Sequence, residues 1–210
     1  MNVFSEHVHR KGARVASSRE QLKQATQLRV LEVASRLFQE RGFAATTVRD
    51  IAGAAGVSTG TVMMVGDKNA LLVRVFDSMV AAEHARRAGI DLQSTGPDVC
   101  VDRLGVLVQP FVLLFTDSPE LARSYASILV SGAHSSSLFT DLAAQLIDDF
   151  AAAITMRGCS SQADAPAKAK ALYAAYVGTL FTWSALGSAD PSGLTDSLRT
   201  TFAAICTCKE

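Results

Sequence analysis

Hydrophobic side chains recur through most of the chain at the three- and four-residue spacing of amphipathic helices. Near residue 50 they fall at Val48, Ile51, Ala52 and Ala55, which places them on one face of a short helix. No stretch alternates polar and apolar residues over the length of a β-strand. The pattern therefore predicts an all-α protein.

Capping residues and chain breakers divide this pattern into nine predicted helices. The first is expected to begin where Ser17 and Glu20 form a capping-box pair, and to end at Gly42. Asp67 and Asp190 are the expected caps of two later helices. The predicted helices span about residues 17–41, 47–55, 58–65, 68–88, 99–115, 118–131, 136–158, 165–186 and 191–207.

The second and third predicted helices have the features of a helix-turn-helix. Thr47 caps the first of them, with Asp50 as an acidic capping-box partner, and Gly56 supplies the positive φ that a sharp corner needs. Ser58 caps the second, whose outward residues would lie against base edges in the DNA major groove. They are Thr59, Gly60, Thr61, Met63 and Met64. A helical hairpin with a purely structural role would show a similar pattern, so the surrounding residues are needed to distinguish it from a DNA-binding motif.

Charge is distributed unevenly along the chain, although the formal net charge is zero. Residues 1–74 contain 11 Lys and Arg against 6 Asp and Glu, a net charge of +5. Residues 75–210 contain 9 against 14, a net charge of −5. The basic part suits phosphate contact. Residues 1–17 are interpreted as a flexible basic arm, either a solvated tail or a further contact to DNA.

Composition narrows the class of protein. The chain has 210 residues, 49% of them hydrophobic, which is typical of a globular protein with a sizeable core. Without a signal peptide or an apolar run of ~18 residues, it is expected to be cytoplasmic, with no membrane partner. Cys206 and Cys208 lack further ligands nearby, so no metal site or other cofactor is expected. No catalytic Ser-His-Asp set or phosphate-binding loop is recognisable, which argues against an enzyme.

Residues from Leu31 to Phe76, read together, resemble the N-terminal half of the TetR/AcrR family of transcriptional regulators. The matching segments are Arg29–Ala34, Leu37–Phe43, Thr46–Ala52, Ala55–Ser58, Gly60–Thr61 and Asp67–Leu72. The region that contains them is about a quarter of the chain. The resemblance implies a ligand-released repressor that acts as a homodimer on a palindromic operator in double-stranded DNA. The expected domains are the arm at 1–17, a three-helix DNA-binding head at 18–66, and an effector-binding and dimerisation body at 67–210.

The chain departs from the family pattern at one place. After the Gly-Thr-Leu of the recognition helix, family members usually carry Tyr, a variable residue, His and Phe, and the Tyr and His help to hold phosphates. Here Gly60-Thr61-Val62 is followed by Met63-Met64-Val65-Gly66, and the segment is one residue shorter. A second hypothesis is therefore an effector-binding or interaction protein with weakened operator affinity.

The remaining candidates for DNA backbone contact carry hydroxyl or cationic groups. They are Thr46, Thr47, Arg49, Ser58 and Lys68. Lys68 also begins a helix, whose dipole would add to the ammonium charge at a phosphate. The thioethers of Met63 and Met64 either contact thymine methyl groups or simply pack.

The body is expected to bind a small apolar or aromatic effector and to form the dimer. Candidate pocket residues, which are alternatively ordinary core, are Met79, Phe111, Phe115, Tyr125, Leu129, Tyr173, Tyr176 and Phe181. Small residues near Trp183 suit a close helix–helix seam, so the predicted dimer interface comprises Ala174, Ala175, Gly178, Trp183 and Leu186. An effector that changes the separation of the two heads would release DNA, with the helix from Lys68 as the lever.

Overall fold

A computed structural model of the chain describes residues 3–87, 100–136, 140–156, 158–187 and 190–206, with side chains from residue 19 onward. These residues form nine helices and no strand, so the predicted all-α class is confirmed. The helices are α1 (Val3–Arg41), α2 (Val48–Ala55), α3 (Thr59–Val65), α4 (Lys68–Arg87), α5 (Cys100–Asp117), α6 (Pro119–Val130), α7 (Asp141–Met156), α8 (Ala165–Leu186) and α9 (Pro191–Ile205).

Helix α1 begins earlier than the sequence predicts. Ser17 and Glu20 lie inside it, and residues 3–17, interpreted as an arm, belong to the helix. The segment before Ser17 contains no proline and one glycine, so nothing in it terminates a helix. A capping signature marks a start only where the preceding backbone leaves helical geometry. The predicted loop at Gly96-Pro97 lies outside the described residues.

The chain divides into two compact units, residues 1–71 and 72–210. The first contains α1, α2, α3 and the first turn of α4. Its core is formed by one apolar face from each helix. The buried residues are Val30, Val33, Ala34, Leu37, Phe38, Ile51, Ala52, Ala55, Val62 and Leu71.

The corner between α2 and α3 has the capping geometry that the sequence predicts. Gly56 is left-handed, with φ 63° and ψ 38°. The amide of Gly56 donates to Gly53 O at 3.3 Å and that of Val57 donates to Ala52 O at 3.0 Å, which satisfies the last carbonyls of α2. At its other end, α2 has the complete capping box of Thr47 and Asp50.

Helix α3 is bounded by a second glycine. The amide of Gly66 donates to Val62 O at 3.1 Å, and the backbone of Gly66 is extended. A Cβ on Gly66 would lie 2.9 Å from the Cβ of Ala70 in the first turn of α4. Any larger residue would push these two segments apart, because real Cβ atoms do not approach so closely.

In the second unit, α8 packs against α6, α7 and α9, and α9 also packs against α5. Aromatic rings fill the interior, with Phe76 stacked on Tyr125 at a centroid distance of 4.6 Å. The Asp77 carboxylate accepts hydrogen bonds from Tyr125 Oη at 3.0 Å and Ser136 Oγ at 2.6 Å. Burial and the Asp77 charge raise the pKa of the Tyr125 phenol, which therefore remains a hydrogen-bond donor.

Two Gly→Ala substitutions one turn apart should change stability in opposite directions. Neither added Cβ meets an atom within 4 Å, so backbone conformation alone decides. Gly56→Ala forces alanine into a left-handed conformation and should destabilise the first unit by about 1 kcal/mol. Gly53→Ala lies within helical α2 and should stabilise it by about 0.5–1 kcal/mol.

Hydrogen-exchange mass spectrometry in increasing urea, read on peptides from α1 to α3, measures both changes. Equal destabilisation by both substitutions would show that steric contact, rather than the left-handed corner, is the cause.

Candidate functional site

Helix α3 turns one face to the core and the other to solvent. Val62 is fully buried, while Met63 is 52% exposed and Met64 is 85% exposed. Thr59 and Gly60 are exposed, and Thr61 is half-buried. The five residues predicted to read bases are therefore on the solvent side of the helix or at its margin.

The start of α3 contains a pair of linked hydroxyl groups. Ser58 Oγ accepts a hydrogen bond from the Thr61 amide at 3.1 Å, which caps the helix. The two side-chain oxygens of Ser58 and Thr61 lie 2.9 Å apart, and either can be the donor. Each hydroxyl has one proton, so one of the pair still has a proton for an acceptor outside the protein.

The Thr47 hydroxyl is already occupied as a donor. It donates to Asp50 Oδ2 at 2.6 Å, and the Thr47 amide donates to the same oxygen at 2.8 Å. These bonds, followed by the charges of Arg41 and Arg49, lower the pKa of Asp50 and keep it ionised. A phosphate that bound Thr47 through its hydroxyl would have to displace this carboxylate. Thr47 therefore acts as a helix cap in this structure.

Thr46 is predicted from the sequence to hold a phosphate, and this prediction is wrong. Its side chain is 0% exposed, and its hydroxyl donates to Gly42 O at 2.8 Å, with Leu37 O at 3.2 Å. The chain folds back after α1, so the hydroxyl meets one carbonyl in the last turns of that helix and one just beyond its end. Thr46 stabilises the fold of the head and does not reach solvent.

Lys68 is held beside the loop that joins α1 to α2. Its Nζ donates to Ala44 O at 3.3 Å and lies 4.3 Å from the centre of the Phe43 ring. An ammonium group has three N–H donors, so this contact leaves capacity for a phosphate. The carboxylate of Asp67 caps α4 by accepting from the Ala70 amide at 2.7 Å. The predicted dipole at this helix start is thus already offset by a negative charge, and the ammonium is the cationic feature here.

A surface groove beside α3 adds residues that the sequence reasoning missed. It has a volume of about 260 Å³ and lies between α1 and the end of α3. Its lining residues are Leu22, Lys23, Thr26, Gln27, Thr61, Met64 and Val65. The available signal was the spacing of Arg19, Lys23 and Gln27, which places cationic and amide groups four residues apart along one face of α1.

The predicted effector residues form a packed aromatic interior. Phe111, Phe115, Tyr125, Leu129, Tyr173 and Tyr176 are buried, and Met79 and Phe181 are half-buried. Phe115 contacts both Tyr125 and Phe181, with ring centroids 6.2 and 6.5 Å away. Burial raises the pKa of Tyr173 to about 12. Several of these rings therefore contact one another inside the second unit.

An open groove in the same unit lies between α5 and α9. It has a volume of about 200 Å³ and is lined by Val101, Asp102, Gly105, Val106, Val108, Gln109, Val112, Thr195, Leu198, Arg199 and Phe202. Arg199 Nη1 donates to Asp102 Oδ1 at this groove. Gly105 lies in the middle of α5, and an added Cβ would meet no atom within 4 Å.

Helix α8 exposes a stripe of small side chains. Of the predicted seam residues, Ala174 and Gly178 are exposed, and Leu186 is 79% exposed. The stripe comprises Ala171, Ala174, Gly178, Thr182 and Ala185. Two other predicted seam residues are not exposed. Ala175 is half-buried, and Trp183 is 8% exposed with its Nε1 donating to Asp190 O at 3.2 Å, so its ring packs within its own subunit.

Residues 30–63 match the family described as bacterial regulatory proteins, tetR family. Over this segment the chain is similar to the N-terminal region of that family. The match covers the last third of α1, then α2, and α3 as far as Met63, which is where the sequence departs from the usual pattern. The match supports a DNA-binding transcriptional regulator.

The fold is similar to that of a solved structure. FadR from Thermus thermophilus, a TetR-family transcriptional repressor in complex with lauroyl-CoA, is 22% identical with a TM-score of 0.63, covering 88% of this chain and 96% of its own. Salmonella enterica GusR is 20% identical with a TM-score of 0.46, covering 88% and 96%. No curated protein matches the chain by sequence.

Two searches of the described residues concern other classes of site. No group of three or more His, Cys, Asp or Glu in this part of the chain is arranged to hold a metal ion. None of the helices in the described ranges combines the length and apolar character that a membrane span requires.

Proposed function

We propose that this regulator binds a palindromic operator as a homodimer and is released by a small effector that binds its body. The observation that carries the proposal is the solvent face of α3, opposite the fully buried Val62. Helix-turn-helix proteins place such a face in the major groove. We favour repression as the mode of regulation, with the bound dimer occupying the operator.

The contacts divide into base readout and backbone positioning. Thr59 and Thr61 offer hydroxyl and methyl groups to base edges, and Gly60 permits close approach. The exposed thioethers of Met63 and Met64 suit thymine methyl groups. Phosphate contacts are assigned to Arg49, Ser58 and Lys68, and to Lys23 beside α3. The role of Thr47 is to cap α2.

Selection of bound fragments from a random DNA pool, followed by affinity measurements at several salt concentrations, tests these assignments. Thr59→Ala should lower affinity for the selected site about fivefold per subunit, the equivalent of one neutral hydrogen bond, and change the preferred base. Lys68→Ala should weaken binding equally on all sequences and reduce the log–log salt slope by ~0.9 per subunit.

Thr46→Val is the control. It removes a buried hydroxyl, which should lower stability but leave the DNA affinity of the folded protein unchanged. A change of sequence preference in Lys68→Ala would contradict the phosphate assignment. Absence of binding at low salt would favour the second hypothesis, a regulator-like protein whose head has lost operator affinity.

The dimer is assigned to the α8 stripe of Ala171, Ala174, Gly178, Thr182 and Ala185. Small exposed residues at three- and four-residue spacing let two helix backbones approach closely. A two-fold axis through this surface makes the interface isologous, and it presents two heads to one duplex. The heads must then be separated by roughly 34–36 Å or a multiple, to reach successive major grooves.

Ala174→Glu should convert the dimer to monomers, because two carboxylates would be buried near the axis. Light scattering after size-exclusion chromatography should give half the mass, and operator affinity should fall on the order of 100-fold through loss of avidity. Ala144→Glu makes the same change at an exposed position of α7 and should preserve the dimer. A dimer that survives Ala174→Glu would place the seam elsewhere.

The α5–α9 groove is the site we assign to the effector. Glycine within a helix is about 1 kcal/mol less favourable than alanine, yet no neighbour requires Gly105 to lack a side chain. Because Gly105 has no side chain, the groove stays open. The apolar walls suit an apolar ligand, and an acidic group on that ligand would compete with Asp102 for Arg199. At about 200 Å³ the groove suits a small molecule or one end of a longer one.

Gly105→Leu should fill this groove and abolish the effector response. The probes are octanoate and lauroyl-CoA, the latter because the structurally similar FadR binds it. Binding to the wild-type protein should raise the unfolding temperature and release operator DNA. Ala144→Leu, at an exposed site on α7, should retain both responses. A response that persists in Gly105→Leu would assign the effector to the aromatic interior around Phe115 and Tyr173.

A further inference from the structure

Two cysteines that are 106 residues apart in the sequence meet inside the second unit. The sulfur atoms of Cys100 and Cys206 lie 3.7 Å apart. The two residues are 3% and 5% exposed. Cys100 is the first described residue of α5, and Cys206 follows the last residue of α9. We propose that this pair is a site of reversible disulfide formation that joins α5 to α9.

The geometry requires only a local adjustment. A disulfide has an S–S length of about 2.05 Å, so the sulfurs must approach by about 1.7 Å. Cys206 has left helical geometry, with φ −82° and ψ 94°, and its amide donates to Phe202 O at 2.8 Å. A residue at a helix end adjusts more easily than one in the interior, because fewer backbone bonds constrain it.

A hydroperoxide is the oxidant that suits this environment, because it is small enough to reach a buried thiol. One thiolate attacks the peroxide, the O–O bond breaks, and a sulfenic acid forms with release of hydroxide. The second thiol then attacks the sulfenic sulfur and expels water, which leaves the disulfide. Two thiols are oxidised by two electrons and one hydrogen peroxide is reduced to two waters. A dithiol reductant converts the disulfide back to two thiols.

The bond would tie together the two helices that form the α5–α9 groove. It closes a long loop, which in the chain-entropy description restricts the unfolded state. We expect the oxidised protein to unfold at a temperature about 5–10 °C higher than the reduced protein. The groove walls would also be prevented from separating near Val101 and Phe202.

The experiment treats the reduced full-length protein with hydrogen peroxide and then blocks remaining thiols with N-ethylmaleimide under denaturing conditions. Mass spectrometry should show a loss of 2 Da, two fewer maleimide adducts, and a linked peptide pair containing Cys100 and Cys206. Cys159→Ser and Cys208→Ser are the matched controls and should retain the link. Cys100→Ser and Cys206→Ser should lose it, together with the rise in unfolding temperature.

Three results would overturn the proposal: no disulfide, a link between Cys206 and Cys208, or a link between subunits. Circular dichroism of the reduced variants verifies that each is folded. If a serine variant does not fold, the peptide map of the wild-type protein still decides the question.

Discussion

The left-handed backbone at Gly56 is the constraint on which the DNA-binding head depends. It allows the chain to leave α2 while the amides of Gly56 and Val57 satisfy the carbonyls of Gly53 and Ala52. The same turn fixes the rotation of α3 about its own axis. Val62 then enters the core, and Thr59 and Met64 remain in solvent. The composition of the exposed face of α3 therefore follows from the geometry of this bend.

Much of this head was predictable because its signals are local. A Thr-x-x-Asp cap, a glycine at the corner and a Ser cap each specify the geometry of the residues beside them, and each is present at the predicted position. Features that depend on distant segments were not predictable. The sequence around Thr46 does not show that its hydroxyl bonds the carbonyl of Gly42 at the end of α1. The sequence likewise does not show that Cys100 and Cys206 come together, because this contact forms only when the body is packed. The capping pair at Ser17 failed for the opposite reason, since a local signal does not stop a helix that already runs through it.

The polar groups near the proposed interface are largely held by partners within the head. Thr47 bonds Asp50, Ser58 bonds Thr61, and Lys68 bonds Ala44. Such contacts fix rotamers before DNA arrives, which reduces the entropy lost on binding. They also mean that a phosphate must share or exchange these partners. With Met63 and Val65 at the places where the TetR/AcrR pattern usually has Tyr and His, the proposed readout depends on hydroxyl and apolar contacts.

Two glycines bracket the recognition helix, and a larger residue is unfavourable at each for a different reason. Gly56 needs a positive φ, whereas Gly66 approaches Ala70 too closely for a side chain. Between them, Thr59, Gly60, Met63 and Met64 are exposed and lie outside the buried core. The segment between the two glycines can therefore be varied as a unit. A combinatorial library designed to change operator preference should vary only the outward positions of α3 and keep both glycines.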